Sequence, residues 1–216
     1  MVMTFRASLC AAIAAASLGA PAAAHPHVFV DTGLKVIVDD AGVFQGVEVT
    51  WSYDDFYSLL LLSDLGLDPD GDGTLTEAEL RQLDGVDLQW VAGFEGDTYV
   101  SRANGTSVRL GKPQSRGVSV KDGRITTVHF RPARRTQPAN ALIVKAYDPT
   151  FYTAYDLIGS VPITGPCTTN ILPADLDAAY TLAEELLYAM PTSDAVDAFP
   201  EVGEAFADTV IVTCSG

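Results

Sequence analysis

The sequence predicts an α+β fold rich in β-structure, arranged as a β-sandwich with inserted helices. Apolar residues alternate with polar ones at a period of two along much of the chain, which is typical of strands with one buried face. The dipeptides Asn104-Gly105 and Asp122-Gly123 lie between such runs and favour tight hairpin turns, because both allow positive φ. Helical patterns are fewer, and the sequence contains no internal repeat.

A first hairpin is predicted from the alternation on either side of the turn-like segment Asp39–Gly42. Its apolar face is expected to consist of Leu34, Val36, Val38, Val47, Val49 and Trp51. In the strand Ile125–Phe130, the residues expected to face inward are Thr126, Val128 and Phe130. His129 is therefore expected on the opposite face of that strand, since neighbouring side chains alternate across a sheet.

Three segments have helical patterns, namely Asp54–Leu65, Thr76–Leu83 and Pro173–Met190. The third is the strongest, because its apolar residues recur at helical spacing and form one stripe. That stripe consists of Leu176, Ala179, Tyr180, Ala183 and Leu187. Two further short strands are predicted at Ala141–Tyr147 and Thr209–Cys214, where β-branched residues are frequent.

Residues 1–24 have the pattern of a secretory signal peptide. The pattern consists of Arg6, the uncharged apolar run Leu9–Leu18 and the small residues Ala22–Ala24. We expect cleavage after Ala24, export to the periplasm, and a single β-rich domain over residues 25–216 with an insertion at about 54–84. No later run is long and apolar enough for a membrane span, which needs about 20 residues.

The charge balance is strongly acidic, with 28 Asp and Glu against 13 Lys and Arg and a net charge of −15. This balance argues against nucleic acids and anionic membranes as partners, since both attract basic surfaces. Once the signal peptide is removed, the only cysteines are Cys167 and Cys214. In an oxidising compartment they are expected to form one disulfide, the alternative being two free buried thiols.

An acidic segment between the first two helices fits the twelve-residue calcium-binding loop of an EF-hand, from Asp68 to Glu79. The predicted calcium ligands are Asp68, Asp70, Asp72, Thr74 (through its carbonyl), Thr76 (through water) and Glu79. Gly73 at the sixth position allows the sharp turn, and Leu75 is expected to anchor the loop to the core. Without calcium, the alternative is an acidic surface turn. A single loop favours a structural ion over a regulatory one.

Histidines are rare, and two of the three begin the expected mature chain as His25-Pro26-His27. Imidazole binds zinc, copper, nickel and cobalt well. Pro26 has no N–H, so the amino-terminal chelate that uses the second amide nitrogen is blocked. The remaining candidate ligands for a transition metal are His25 with its α-amine, His27, His129 and the carboxylate of Asp31. The alternatives are an ordinary start to the first strand and a solvated strand histidine at His129.

Three blocks of sequence resemble an uncharacterised family of periplasmic proteins, identified as the periplasmic component of an ABC-type transport system. They are His25-Pro-His-Val-Phe-Val-Asp31, Trp51-Ser-Tyr-Asp-Asp-Phe-Tyr57 and Tyr147-Asp-Pro-Thr-Phe-Tyr152, and the late cysteine pair is similar too. The resemblance implies an association with nickel, cobalt or zinc transport. It adds Asp148 to the candidate metal ligands, although an Asp before Pro149 also suits a turn.

The function most favoured by these observations is a periplasmic metal-binding accessory protein that assists a membrane transporter of nickel, cobalt or zinc. A chain this short and rich in strands does not suit a two-lobed solute receptor, so an accessory role fits better. The second hypothesis is a calcium-stabilised binding module without a transition metal. The third, a copper enzyme, is the least favoured because the sequence contains no nucleophile elbow, phosphate loop or HExxH motif, and no catalytic residues are predicted.

Overall fold

The computed structural model describes residues 25–191 and 199–215, so the predicted signal peptide and its cleavage site after Ala24 lie outside the described residues. The strands are β1 (Val28–Val38), β2 (Phe44–Tyr53), β3 (Thr98–Arg102), β4 (Gln114–Lys121), β5 (Arg124–Pro132), β6 (Leu142–Ala146), β7 (Thr153–Leu157), β8 (Cys167–Leu172) and β9 (Thr209–Cys214). The α-helices are α1 (Asp55–Asp64), α2 (Glu77–Leu83) and α3 (Leu176–Ala189), and short 3-10 helices span Val86–Leu88 and Gly203–Phe206.

The strands form two sheets, with the orders β4-β5-β2-β1-β7 and β3-β6-β9-β8. β1 and β7 run parallel, whereas the other paired strands are antiparallel. Both sheets contribute almost fully buried side chains to one core, among them Val36, Val47 and Val49 from the first sheet and Leu142, Val144 and Val210 from the second. The predicted α+β, strand-rich class is therefore confirmed, and two sheets around a shared core are consistent with the predicted sandwich.

Two of the three predicted hairpins form completely, and the third forms only in part. β1 and β2 join through the expected turn, and β4 and β5 join through Asp122-Gly123. After β3, the N–H of Arg102 donates to the carbonyl of Thr106 at 2.9 Å, but the returning segment makes only an isolated bridge between Ser101 and Ser107. The strands β7 and β8 were not predicted, because their short sequences mix polar and apolar residues without a strong alternation.

The expected orientation of β5 is wrong by one residue. Ile125, Thr127, His129 and Arg131 face the core, whereas Thr126, Val128 and Phe130 face outward. Polar side chains are tolerated inside because loops supply partners: the Thr127 hydroxyl donates to Asp87 at 2.6 Å, and the Arg131 guanidinium donates to the carbonyls of Gly111 and Glu95 at 2.9 and 2.8 Å. The outward Phe130 is in turn covered by Arg116, whose guanidinium carbon lies 5.4 Å from the ring centroid.

The helical insertion shares the core of the sheets. Its buried apolar side chains are Leu62, Leu67, Leu75 and Leu83. The Oγ atom of Ser58 on α1 accepts a hydrogen bond from the N–H of Ile125 at 3.0 Å, which links the helix to the start of strand β5. The insertion is therefore packed against the first sheet, at the end where β4 turns into β5.

The apolar stripe predicted on the third helix is only partly buried. Ala179 and Ala183 are buried, whereas Leu176 and Tyr180 are 52% and 55% exposed. The helix packs through its small residues, while Tyr180 makes an edge contact with Phe206 of the second 3-10 helix, at 5.0 Å between ring centroids. Small side chains allow this close approach, and the larger ones remain at the rim.

Cys167 and Cys214 form the predicted disulfide, opposite each other on β8 and β9. The bond closes a loop of 47 residues, for which the chain-entropy model gives about 4 kcal/mol of stabilisation. A disulfide of this kind is compatible with an exported protein. No helix in the described ranges is both long enough and apolar enough to cross a membrane.

Candidate metal sites

The acidic loop joins α1 to α2 and gathers three carboxylates. Asp68, Asp70 and Asp72 each offer an oxygen atom, and these atoms lie within 4.8 Å of one another. Among residues 25–191 and 199–215, this is the only group of three or more His, Cys, Asp or Glu side chains with such a convergence. The carboxylates at the first, third and fifth positions of the loop therefore converge on one point.

The turn of the loop is organised around the first carboxylate. The two Asp68 oxygens accept hydrogen bonds from the N–H groups of Asp72 and Gly73, each at 3.1 Å. Gly71 and Gly73 have φ values of 67° and 74°, which glycine adopts without the steric penalty of a side chain. A side chain at Gly73 would also meet the backbone of Gly123, because the loop lies against the β4–β5 turn.

Glu79 closes the loop from its far end. One of its carboxylate oxygens accepts the N–H of Asp68 at 3.3 Å, and the other accepts both the N–H and the hydroxyl of Thr76, at 2.8 and 2.6 Å. Thr76 in turn caps α2 by accepting the N–H of Glu79, which completes a capping box. These hydrogen bonds, those from Thr76 first, lower the pKa of Glu79 below its usual value.

The residues of this loop fit a calcium ion by their chemistry. Carboxylates occupy the first, third, fifth and twelfth positions, and within the described chain none of these four forms an ion pair with a Lys or Arg. The fifth carboxylate of the loop, Glu77, pairs with Arg81 at 3.8 Å. Hard oxygen donors in this number and order suit Ca²⁺. Leu75 at the eighth position is buried in the core cluster, as the pattern requires of the loop's anchor.

His25 and His27 lie beside Tyr152, the residue before β7. The N–H of His27 donates to the carbonyl of Tyr152 at 2.8 Å. The rings of His25 and His27 are 5.0 Å apart between centroids, and the His27 ring is 4.8 Å from that of Tyr152. The ring centroid of Phe199 lies 4.0 Å from that of His25. An aromatic cluster therefore holds both imidazoles at one surface.

Asp148 belongs to the same surface. Burial lowers the pKa of His25, the charge of His27 lowers it further, and the nearby Asp148 carboxylate opposes both effects. The Nδ1 atom of His25 is buried and has no hydrogen-bond partner within the described chain. The Asp148 oxygens accept hydrogen bonds from the N–H groups of Thr150 and Thr153, at 2.9 and 3.0 Å, so the carboxylate also fixes the turn before β7.

Asp31 is not part of this cluster. It lies four residues after His27 on the same face of β1, about 13 Å further along at 3.3 Å per residue. Its carboxylate forms an ion pair with Arg124 at 2.9 Å.

His129 is also separate from the other histidines. It pairs with Val49, which pairs with Leu34, so it lies about seven residues along β1 from His27, roughly 23 Å. Its side chain is 0% exposed. The prediction that His129 lies on the outer face of β5, with a solvated histidine as the alternative to a ligand, is wrong about the face.

The surroundings of His129 are aromatic. The ring centroids of Trp51 and Trp90 lie 4.6 and 6.0 Å from its own, and neither ring nitrogen has a hydrogen-bond partner within the described chain. Burial, and then the charge of Arg131, lower the pKa of His129 from 6.5 to about 4. The imidazole is therefore neutral at physiological pH.

A second buried ionisable group was missed at the sequence level. Asp97 is 5% exposed, and its carboxylate accepts a hydrogen bond from the Tyr155 hydroxyl at 2.8 Å. Burial raises the pKa of Asp97 to about 7. No local pattern marks this residue, because its burial depends on the packing of β7 against the start of β3.

Residues 9–214 match a family described as proteins of unknown function, DUF1007. No curated protein matches the chain. Because the family match spans both the acidic loop and the histidine cluster and far more than half of the residues, the chain belongs to the DUF1007 family of proteins of unknown function.

Proposed function

We propose that the mature chain is a periplasmic metal-binding accessory protein that assists a membrane transporter of nickel, cobalt or zinc, and that the loop Asp68–Glu79 holds a structural calcium ion. The observation that carries the proposal is that the rings of His25 and His27 lie 5.0 Å apart beside Tyr152, while the N–H of the adjacent Thr153 donates to Asp148, about 120 residues from the histidines in sequence. Two imidazoles and a carboxylate are a donor set that transition metals bind.

The chemistry of the cluster supports reversible capture of a metal ion. Only a neutral imidazole can donate its lone pair to a metal, and the lowered pKa of His25 keeps its ring neutral at physiological pH. Cleavage after Ala24 would add the α-amine of His25 as a further nitrogen donor. The ligating atoms of the three side chains do not all lie within 4.8 Å of one another, so binding requires their rings and carboxylate to move together. That adjustment suits a protein that accepts an ion and passes it on.

Calcium has a separate role in this proposal. The loop is packed into the core through Leu75 and touches the β4–β5 turn through Gly73. Binding therefore stabilises the fold near α2, since an ion bound only to the native state shifts the folding equilibrium. A concentration ten times the dissociation constant adds about 1.4 kcal/mol. The proposed partner, a membrane metal transporter, would receive the ion held at the histidine surface.

The second candidate function is a calcium-stabilised binding module without a transition metal. It is favoured by the fact that, in the described chain, only the carboxylates of the acidic loop already converge. The two candidates differ in one property. The first requires a transition-metal site that depends on His25 and His27, whereas the second requires calcium binding alone.

Calorimetric titration of the mature protein separates the two functions. Nickel, cobalt, zinc, copper and calcium are titrated separately into the wild type and into the variants His25→Ala, His27→Ala and Asp148→Asn. Asp31→Asn is the matched control, because this carboxylate lies on the same face of β1 but is paired with Arg124. We expect submicromolar binding of a transition metal that each test variant weakens at least tenfold and the control leaves unchanged. Transition-metal binding that survives both histidine variants, or calcium binding alone, would rule out the first function.

A further inference from the structure

The positive charges of this acidic protein are concentrated in one stretch of sequence. Residues 98–147 contain ten of the 13 Lys and Arg but only one of the 28 Asp and Glu. That stretch carries a net charge of +9, and the remainder of the chain carries −24. Such segregation costs self-repulsion within the positive region, so it calls for an explanation in terms of a binding partner.

The fold brings four of these cations together around one cleft. The cleft has a volume of about 700 Å³ and lies between the turn after β3 and the loop after β5. Its lining residues are Arg102, Thr106, Ser107, Val108, Arg109, Arg134, Arg135 and Gln137. No carboxylate lines it, and within the described chain none of its four arginines forms an ion pair.

The walls of the cleft are fixed by main-chain hydrogen bonds. The N–H of Arg134 donates to the carbonyl of Arg109 at 3.0 Å, and Leu110 forms a bridge with Ala133, so the two loops are joined side by side. The guanidinium of Arg102 donates to the amide oxygen of Gln137 at 2.8 Å, which orients it across the same junction. The cleft is therefore a formed concavity, and its charges are not scattered over a flat surface.

We propose that this arginine cleft binds a multivalent phosphate-bearing anion. A guanidinium presents its N–H groups in a planar fork that pairs with two oxygens of a phosphate, which is why arginine dominates such sites. Four guanidinium groups suit either a ligand that carries several phosphates or an array of molecules that each carry one phosphate, such as lipid headgroups. The hydroxyls of Thr106 and Ser107 offer further donors at the rim.

The cleft is distinct from both candidate metal sites. The acidic loop lies against the turn at Gly123, where β5 begins, whereas the cleft lies beyond Pro132, where β5 ends. The nine residues of β5 separate the cleft from the loop by about 30 Å. Pro132 pairs with Gly46, which pairs with Ile37, so the cleft also lies about ten residues along β1 from His27, roughly 33 Å. Neither calcium nor a transition metal at the histidines is needed for anion binding, so this proposal can fail or succeed independently of the proposed function.

The test uses the mature protein with two probes that share the phosphate chemistry. Inorganic tripolyphosphate is titrated by calorimetry as a free anion, and vesicles of phosphatidylglycerol with phosphatidylcholine are tested by co-sedimentation against vesicles of phosphatidylcholine alone. The test variant is R109Q/R134Q/R135Q. The control K35Q/R81Q/K121Q removes the same number of charges elsewhere on the surface. Arg102 is left intact because of its hydrogen bond to Gln137.

We expect the test variant to weaken binding of the responding probe at least tenfold and the control to weaken it less than threefold, with both variants melting close to the wild type. A response to tripolyphosphate identifies a free anion as the ligand, and a response only to the anionic vesicles identifies a lipid headgroup. Both results support the site. The absence of binding to both probes, or an equal loss in the test and control variants, would overturn it.

Discussion

The acidic loop and the histidine cluster are both candidate metal sites, but they are built in opposite ways. The loop takes its ligands from twelve consecutive residues, Asp68–Glu79, and local turns bring the carboxylates together. The cluster joins His25 and His27 to Asp148 through the parallel pairing of β1 and β7. A site of the first kind is specified by local sequence, whereas a site of the second kind exists only once distant strands have paired.

The two sites also differ in how they are supported. The insertion that carries the loop places Leu75 and Leu83 in the core, whereas the histidines rest on the aromatic rings of Tyr152 and Phe199 at the surface. Substitutions near the loop should therefore lower the free energy of unfolding of the whole domain. Changes at the histidines should remain local.

The largest effect is expected from Leu83→Ala, which removes a completely buried side chain at the end of α2. Lost burial and the resulting cavity together should lower the free energy of unfolding by about 4 kcal/mol. The measurement is urea unfolding followed by far-UV circular dichroism. The matched control is Leu59→Ala on α1, where the side chain is 63% exposed and the expected change is within about 0.5 kcal/mol. Equal effects of the two substitutions would show that the insertion does not share the core.

A second prediction contrasts the buried histidine with the surface pair. The folded protein holds the pKa of His129 at about 4, against 6.5 in an unfolded chain. Between these values the unfolded state binds a proton that the folded state does not, so stability falls as the pH decreases from 6.5 to 4. The loss from His129 alone should approach about 3 kcal/mol. His129→Leu, which removes two unpartnered ring nitrogens, should abolish this part of the pH dependence.

The comparison between variant and wild type is essential here because Asp97 acts with the opposite sign. Its raised pKa of about 7 makes the folded state bind a proton that the unfolded state releases above 3.8, so its contribution to stability falls as the pH increases. Both proteins contain Asp97, and the difference between their unfolding free energies isolates His129. Val128→Ala is the control, because it replaces an outward-facing residue of the same strand that has no ionisable group, and it should retain the wild-type slope. A slope unchanged by His129→Leu would contradict the burial of a neutral imidazole.

The features that sequence reasoning predicted well are local or covalent. The two helices on either side of the acidic loop and the sharp turn at Gly73 were predicted, because each depends on near neighbours in the sequence. The disulfide was predicted because only two cysteines follow the predicted signal peptide. The proximity of Asp148 to the histidines came from a family resemblance, since no periodicity connects β1 with the turn before β7.

The failures arise where tertiary contacts decide. The residues of β5 alternate between two faces of the sheet, and the more apolar face, with Val128 and Phe130, was expected to be buried. The loops after α2 and β3 supply partners for Thr127 and Arg131, so the more polar set is buried instead. The charge segregation of residues 98–147 was visible in the sequence, but only the fold shows that four of its arginines line one cleft.

A smaller effect should separate two glycines of the acidic loop. Gly71 and Gly73 both have positive φ, so alanine at either position costs about 1 kcal/mol of backbone strain. A Cβ at Gly71 meets no atom within 4 Å, whereas one at Gly73 comes 3.2 Å from the nitrogen of Gly123. Gly73→Ala should therefore destabilise by about 2 kcal/mol in total, roughly twice the effect of Gly71→Ala. Thermal unfolding of both variants with excess chelator measures the difference, and equal costs would show that the loop does not bear on the β4–β5 turn.

The smallest effect on stability is expected at the histidine cluster itself. The exposed ring of His27 contacts Tyr152 from the surface, and its strand is held by main-chain pairing that substitution leaves intact. His27→Ala should therefore change the free energy of unfolding by no more than about 0.5 kcal/mol in the absence of metal. With zinc or nickel present, the wild type should gain thermal stability that this variant lacks, because an ion bound only to the folded state stabilises it. Asp31→Asn provides the comparison, since its carboxylate is paired with Arg124 and should keep the metal-dependent gain. A large loss of stability without metal would mean that His27 supports the fold, and an undiminished metal-dependent gain in His27→Ala would mean that the ion binds elsewhere.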